Sequence, residues 1–128
     1  MNKILFLFAI LAFVSCKKEE VKKEPLYPTT TEEVAQTPIE LGKEIFEGKG
    51  NCVACHQVAE KVIGPSLQVI AKIYKDKNAD MVTFLKGEGE PIVDPSQYEV
   101  MKTNFVITKA MSDQELQALE AYVYSHLK

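Results

Sequence analysis

Apolar residues recur at helical spacing in several stretches of this chain. The first stretch follows Thr37-Pro38-Ile39-Glu40, where Thr at the cap, Pro at the first helical position and Glu at the third form a capping box. Leu41, Ile45 and Phe46 then fall on one helix face. Because Gly48 follows, we predict that this first helix ends there.

Four more segments carry a helical signal. Gly64-Pro65-Ser66 opens a second apolar period that runs to Tyr74, and a third, shorter one covers residues 79–86. Residues 94–101 begin with another capping pattern, and a last helix begins at Ser112 and carries an apolar stripe to Leu127. No stretch of convincing length alternates as a strand does. The pattern therefore predicts an all-α fold of three to five short helices.

The N-terminal segment has a different character. A positive start is followed by an apolar run, residues 4–14, that is shorter than the roughly 20 residues a membrane span needs. Phe13-Val14-Ser15-Cys16 resembles the lipobox of bacterial lipoproteins, whose cysteine is acylated. We expect residues 1–15 to be a lipoprotein signal peptide and Cys16 to be the lipid-modified N-terminus. A non-lipidated export signal or an inert Cys16 is the alternative.

Residues 16–37 are mostly Lys, Glu, Pro and Thr, with almost no large apolar side chains. Such a segment cannot bury enough surface to offset its conformational entropy, so we predict a flexible, lipid-anchored tether. The folded domain then covers residues 38–128. This arrangement predicts an extracytoplasmic domain anchored to a bacterial membrane, facing the periplasm or the cell surface.

Charge and cysteine content narrow the function further. The formal net charge is −3 and the chain contains no Arg, which argues against nucleic acid as a partner. The three cysteines cannot all pair as disulfides. One acylated Cys16 and two thioethers at Cys52 and Cys55 would use all three.

Cys52-Val53-Ala54-Cys55-His56 is the motif with the most specific chemistry. Two cysteines three apart lie on one side of a helical turn, where both thiols can add to the vinyl groups of one haem. His56 is then carried to the iron as the proximal ligand. The alternatives are a redox-active disulfide, half of a zinc site and a plain structural disulfide. The first lacks a βαβ setting, the second lacks a second ligand pair, and the third leaves His56 unexplained.

From Pro38 onward the chain resembles the class I cytochromes c: a first helix, the cysteine motif, Gly64-Pro65, a downstream methionine and a last helix containing Tyr122. The resemblance implies a small cytochrome c fold around one covalent haem c. It implies that Gly42, Phe46 and Tyr122 lie where the first and last helices cross. It also implies that the carbonyl of Pro65 accepts a hydrogen bond from the proximal histidine, which would fix the tautomer of the ring.

The sixth ligand of the iron is open among Met81, Met101 and Met111. Met81 lies on an apolar helix face typical of core, and Met111 directly precedes the cap of the last helix. We favour Met101, where the family places its ligand. His126, at the end of the last helix, is expected to be solvated.

The resemblance implies an electron carrier rather than an enzyme, because a haem with His and Met ligands has no open coordination position. Its partners would be redox protein donors and acceptors in respiratory membrane complexes, and no small-molecule substrate is expected. The alternative is a haem domain with an open distal site for peroxide or a diatomic gas.

Overall fold

The computed structural model describes residues 36–128, and the regular secondary structure in that range is entirely helical. The six α-helices are α1 (Pro38–Glu47), α2 (Leu67–Lys77), α3 (Met81–Leu85), α4 (Tyr98–Lys102), α5 (Phe105–Thr108) and α6 (Asp113–Tyr124). Single 3₁₀ turns occur at Cys52–Ala54 and Pro95–Gln97. The predicted all-α fold class is confirmed. No helix in this range is long and apolar enough to cross a membrane.

Three of the expected features lie outside the described residues. They are the signal peptide over residues 1–15, the acylation site at Cys16, and the tether over residues 16–37 apart from its last two positions.

Capping boxes begin the two helices that form the main contact of the fold. At α1, the backbone N–H of Thr37 donates to Glu40 at 2.9 Å, and the N–H of Glu40 donates back to the Thr37 hydroxyl at 3.3 Å. Ser112 and Glu115 repeat both bonds at α6, at 2.8 and 3.3 Å. Each box satisfies two backbone donors that the first helical turn cannot pair internally.

Helices α1 and α6 cross at very short range, and this crossing is the most extensive contact between helices. A Cβ at Gly42 would lie 1.9 Å from the carbonyl oxygen of Ala118, so only glycine allows the two backbones to approach this closely. The ring of Phe46 packs against that of Tyr122 with centroids 5.3 Å apart. Gly42, Phe46 and Tyr122 therefore lie at the crossing, as the family resemblance implied.

The core lies between this crossing and α2 and α3, which both pack on α6. Its members are buried apolar side chains from all four helices: Ile45, Phe46, Leu67, Ala71, Tyr74, Met81, Leu116, Ala118, Leu119, Tyr122 and Val123. By contrast, none of the residues in α4 is buried.

Two details differ from the predicted helices. The four-residue α5 was not predicted, because no side chain caps its start and the sequence therefore carries no signal there. Helix α6 ends at Tyr124 rather than reaching Leu127. The chain continues as a tighter turn, in which the N–H of Leu127 donates to the Tyr124 carbonyl at 3.0 Å. Leu127 still packs against the core.

Candidate functional site

The cysteine motif is wound into one tight turn directly after α1. Asn51 adopts a left-handed conformation with φ of 50°, which reverses the chain before the 3₁₀ turn at Cys52–Ala54. The N–H groups of Cys55 and His56 both donate to the carbonyl of Cys52, at 3.1 and 3.0 Å. This turn brings Cys52, Cys55 and His56 to the wall of the same cleft.

Both thiols in this turn are free and partly buried. Burial raises the pKa of Cys52 to about 11, and the neighbouring Cys55 adds to the rise. The Sγ of Cys52 lies 3.5 Å from the carbonyl oxygen of Gly50, which accepts its weak hydrogen bond. Redox-active CxxC pairs depend on a lowered thiol pKa, so this environment argues against that alternative.

His56 is held by the loop that follows it. Its Nδ1 lies 2.7 Å from the carbonyl oxygen of Pro65. A carbonyl can only accept, so Nδ1 carries the proton and Nε2 keeps its lone pair for a metal. The N–H of Gly64 donates to the Cys55 carbonyl at 2.8 Å, which closes the loop onto the imidazole ring.

Gly64 is required by this closure. A Cβ at position 64 would lie 2.4 Å from Cε1 of His56 and 2.8 Å from its Nδ1. Any side chain here would push the ring out of its position. The Gly64-Pro65 turn that opens α2 therefore also leaves the space that the His56 ring occupies.

The cleft beside these residues has mainly apolar walls drawn from most of the fold. Apolar lining side chains include Phe46, Leu67, Ile70, Tyr74, Phe84, Leu119 and Val123. Asp94 is the one side chain of the lining that carries a full charge at neutral pH. A flat, apolar cofactor with a few polar edge groups suits such a lining.

The three candidate methionines differ in whether they line the cleft or belong to the core. Met101, on α4, lines the cleft together with the cysteine motif. Met81 also lines it but is only 3% exposed and belongs to the core cluster. Met111 packs against the core and does not line the cleft.

His126 differs from its expected solvated state. Its ring packs edge-on against Tyr122 with centroids 4.8 Å apart, and its Nε2 is buried without a hydrogen-bond partner among the described residues. The helical turn after α6 folds it inward. His126 is absent from the cleft wall.

Sequence reasoning missed several polar residues around the cleft. Asn104 lines it and donates from Nδ2 to the carbonyl of Gly50 at 3.3 Å. Asp94 also lines it and pairs with Lys61 at 2.9 Å. Both contacts join residues far apart in the chain, so no local sequence signal marks them.

The described part of the chain contains no cluster of three or more His, Cys, Asp or Glu residues suited to a metal ion, which argues against the zinc-site alternative. Two free thiols, a histidine with an available Nε2 and a methionine instead surround one apolar cleft. This combination has the donor chemistry of a covalently bound haem. The small helical fold and this cleft together define a monohaem c-type cytochrome.

Comparison with known proteins agrees with that class. The family model for cytochrome c matches residues 39–126, so the chain belongs to the cytochrome c family. It is also similar to cytochrome c-552 of Nitrosomonas europaea, with 48% identity over 54 residues. That alignment covers 42% of this chain and 47% of the relative, about half its length. The chain is a class I c-type cytochrome, and its cofactor is one covalent haem c.

Proposed function

We propose that this protein is a one-electron carrier. Cys52 and Cys55 hold the haem through thioethers, His56 is the proximal ligand, and Met101 is the sixth ligand. The observation that carries the proposal is the 2.7 Å contact between His56 Nδ1 and the Pro65 carbonyl, which leaves Nε2 available to iron. The haem supplies the reversible one-electron chemistry.

Met101 is assigned by its place in the cleft. It shares the cleft wall with His56, whereas Met111 does not. Met81 shares the wall too, but its burial in the core ties it to packing. A thioether is soft and uncharged, so it favours ferrous iron and raises the reduction potential relative to a second histidine.

An occupied sixth position favours electron transfer over catalysis. If His56 and Met101 both ligate the iron, a bound haem would transfer electrons without binding a substrate. The apolar cleft wall would favour the less charged ferrous state of a bound haem. No small-molecule substrate is part of this proposal.

The cellular setting is proposed from the sequence. Residues 1–15 direct export, acylated Cys16 anchors the protein, and residues 16–37 tether the domain over residues 38–128 to a bacterial membrane. On the extracytoplasmic side, the tether raises the effective concentration of the domain near membrane-bound partners. Those partners are redox protein donors and acceptors of a respiratory chain.

One preparation tests the haem assignment and the function. Protein made with haem-attachment machinery should gain the mass of one haem that survives acid–acetone extraction, and Cys52→Ala and Cys55→Ala should each lose one thioether. Its ferrous spectrum should not change when carbon monoxide is added. Haem that is extractable would contradict the attachment, and rapid carbon monoxide binding would favour the open-site alternative.

A further inference from the structure

Two polar contacts join the segment around His56 to the segment around Met101 in the described part of the chain. In one, Asn104 donates to the carbonyl of Gly50. In the other, Lys61 Nζ lies 2.9 Å from Asp94 Oδ2, and the two residues are 33 positions apart. Lys61 belongs to the loop between His56 and Pro65 that holds the imidazole.

Asp94 is placed to set the position of α4. It precedes the 3₁₀ turn at Pro95–Gln97, which runs directly into α4 and Met101. The Ser96 hydroxyl donates to Asp94 at 2.6 Å, and these bonds from Ser96 and Lys61 lower the pKa of the carboxyl. The Asp94 side chain is 19% exposed and that of Lys61 is 61% exposed, so solvent screens the pair in part.

The rest of α4 is held weakly. None of its residues is buried, and the extensive helix contacts are those of α1, α2 and α3 with α6. Tyr98 anchors the start of α4 against Phe84 and Phe105, with ring centroids 6.4 and 6.2 Å away. Lys77 reaches the carbonyl of Ile92 from α2, at 3.4 Å. On the His56 side, Lys61 makes the polar contact to the chain before α4, while Ile92 and Val93 of that chain pack against the core.

We propose that Lys61 and Asp94 form a clasp that keeps the Met101 segment closed over the cleft. They are positioning residues, since neither is proposed to contact the iron. Without the clasp, the segment swings away more often and the sixth position is exposed for longer. This inference rests on the proposed function, namely on Met101 as the sixth ligand.

The test measures how fast an external ligand replaces Met101 in the oxidised holoprotein. Imidazole at about pH 8 is suitable because it is mostly uncharged and is not steered by surface charge. Under saturating imidazole, the observed rate reports opening of the Met101 segment. Lys61→Gln and Asp94→Asn should each raise this rate about two- to fivefold, the range of an ion pair that solvent screens in part.

Three further variants sharpen the result. The double variant Lys61→Gln/Asp94→Asn should open no faster than the faster single variant. Each single variant already removes the Lys61–Asp94 contact, so the second substitution has no further contact between them to remove. The exchanged pair Lys61→Asp/Asp94→Lys should recover part of the wild-type rate. Lys72→Gln is the matched control, since it removes a lysine paired with Asp76 within α2 and should leave the rate unchanged.

Each outcome separates the clasp from the haem assignment. If the wild type lacks the methionine–ferric charge-transfer band, the assignment of Met101 fails. If the band is present but neither single variant changes the rate, the clasp is overturned while methionine ligation of the iron stands. Equal acceleration in Lys72→Gln would reduce the effect to general surface charge and also overturn the clasp. Haem content and thermal unfolding of every variant verify that the fold is kept.

Discussion

Gly64 and His56 are in direct steric contact, with room for a hydrogen atom but not for a methyl group at position 64. The loop that supplies the hydrogen-bond acceptor at Pro65 can pass this close to the ring only because residue 64 has no side chain. One glycine thus links the backbone of the loop to the orientation of the proposed proximal ligand.

The first prediction tests this contact. Gly64→Ala should displace the His56 ring and lengthen its bond to Pro65, because the new Cβ would lie 2.4 Å from Cε1. We expect less covalent haem per protein, measured by mass spectrometry. In the fraction that matures, the reduction potential should rise, because a weaker Nδ1 bond lowers the basicity of the ligand. The control Val62→Ala, at an exposed position nearby, should change neither the haem content nor the reduction potential. Normal haem content and a normal potential in Gly64→Ala would contradict the steric argument.

The second prediction concerns the sixth ligand. Met101→Ala should abolish the methionine–ferric charge-transfer band, lower the reduction potential and allow ferrous haem to bind carbon monoxide, since the thioether is lost. Met111→Ala should keep the band and cost about 2 kcal/mol of stability or less, as a partly buried side chain. Met81→Leu nearly conserves volume, so it should also keep the band and cost under about 1.5 kcal/mol. Loss of the band in Met81→Leu instead would move the ligand to α3.

A third prediction addresses the α1–α6 crossing. Gly42→Ala would place a methyl group 1.9 Å from the Ala118 carbonyl, so the helices must separate. We expect a loss of about 3 kcal/mol or more in the free energy of unfolding, measured by denaturant titration of the holoprotein. The control Lys43→Ala, on the solvent side of α1, should stay within about 0.5 kcal/mol. A loss in Gly42→Ala no larger than in the control would contradict the close crossing.

The fourth prediction is a pH dependence at the start of α6. Hydrogen bonds from Lys49 and Ser112 lower the pKa of Glu115 to about 2. The unfolded pKa is about 4.3, so the ionised Glu115 contributes stability above that pH, and the contribution disappears as the pH falls through 2. Glu115→Gln should therefore be less stable than wild type at neutral pH, and the difference should shrink between about pH 4.3 and 2. Thermal unfolding of both proteins across this pH range measures the difference, and a difference that stays constant would contradict the Glu115 contacts.

The fifth prediction tests the anchor. Cys16→Ser should move the protein from the membrane to the soluble extracytoplasmic fraction, because stable anchoring needs the acyl chains that a lipoprotein cysteine carries. Fractionation and intact mass measure this. Cys55→Ala is the matched control, since it removes a cysteine but should leave the protein on the membrane. A Cys16→Ser protein that stays membrane-bound with unchanged mass would place the anchor elsewhere.

The sequence by itself determined the helical class and the starts of the main helices. The capping boxes at Thr37 and Ser112 are readable because both partners lie within three residues, and the structure forms both. The cysteine motif is equally local, and it pointed to the haem cofactor. The short α5 has no cap and was missed for that reason.

Only the tertiary structure decided which distant residues share the cleft. It placed Met101 on the cleft wall and kept Met111 away from it, although both methionines precede α6. It also joined Lys61 to Asp94 and folded His126 against Tyr122. Hydrophobic periodicity tells which face of a helix is buried, but the neighbours of that face depend on how helices cross. Contacts between residues tens of positions apart leave no periodic signal, so they emerge only when α1, α6 and the loops between them are packed together.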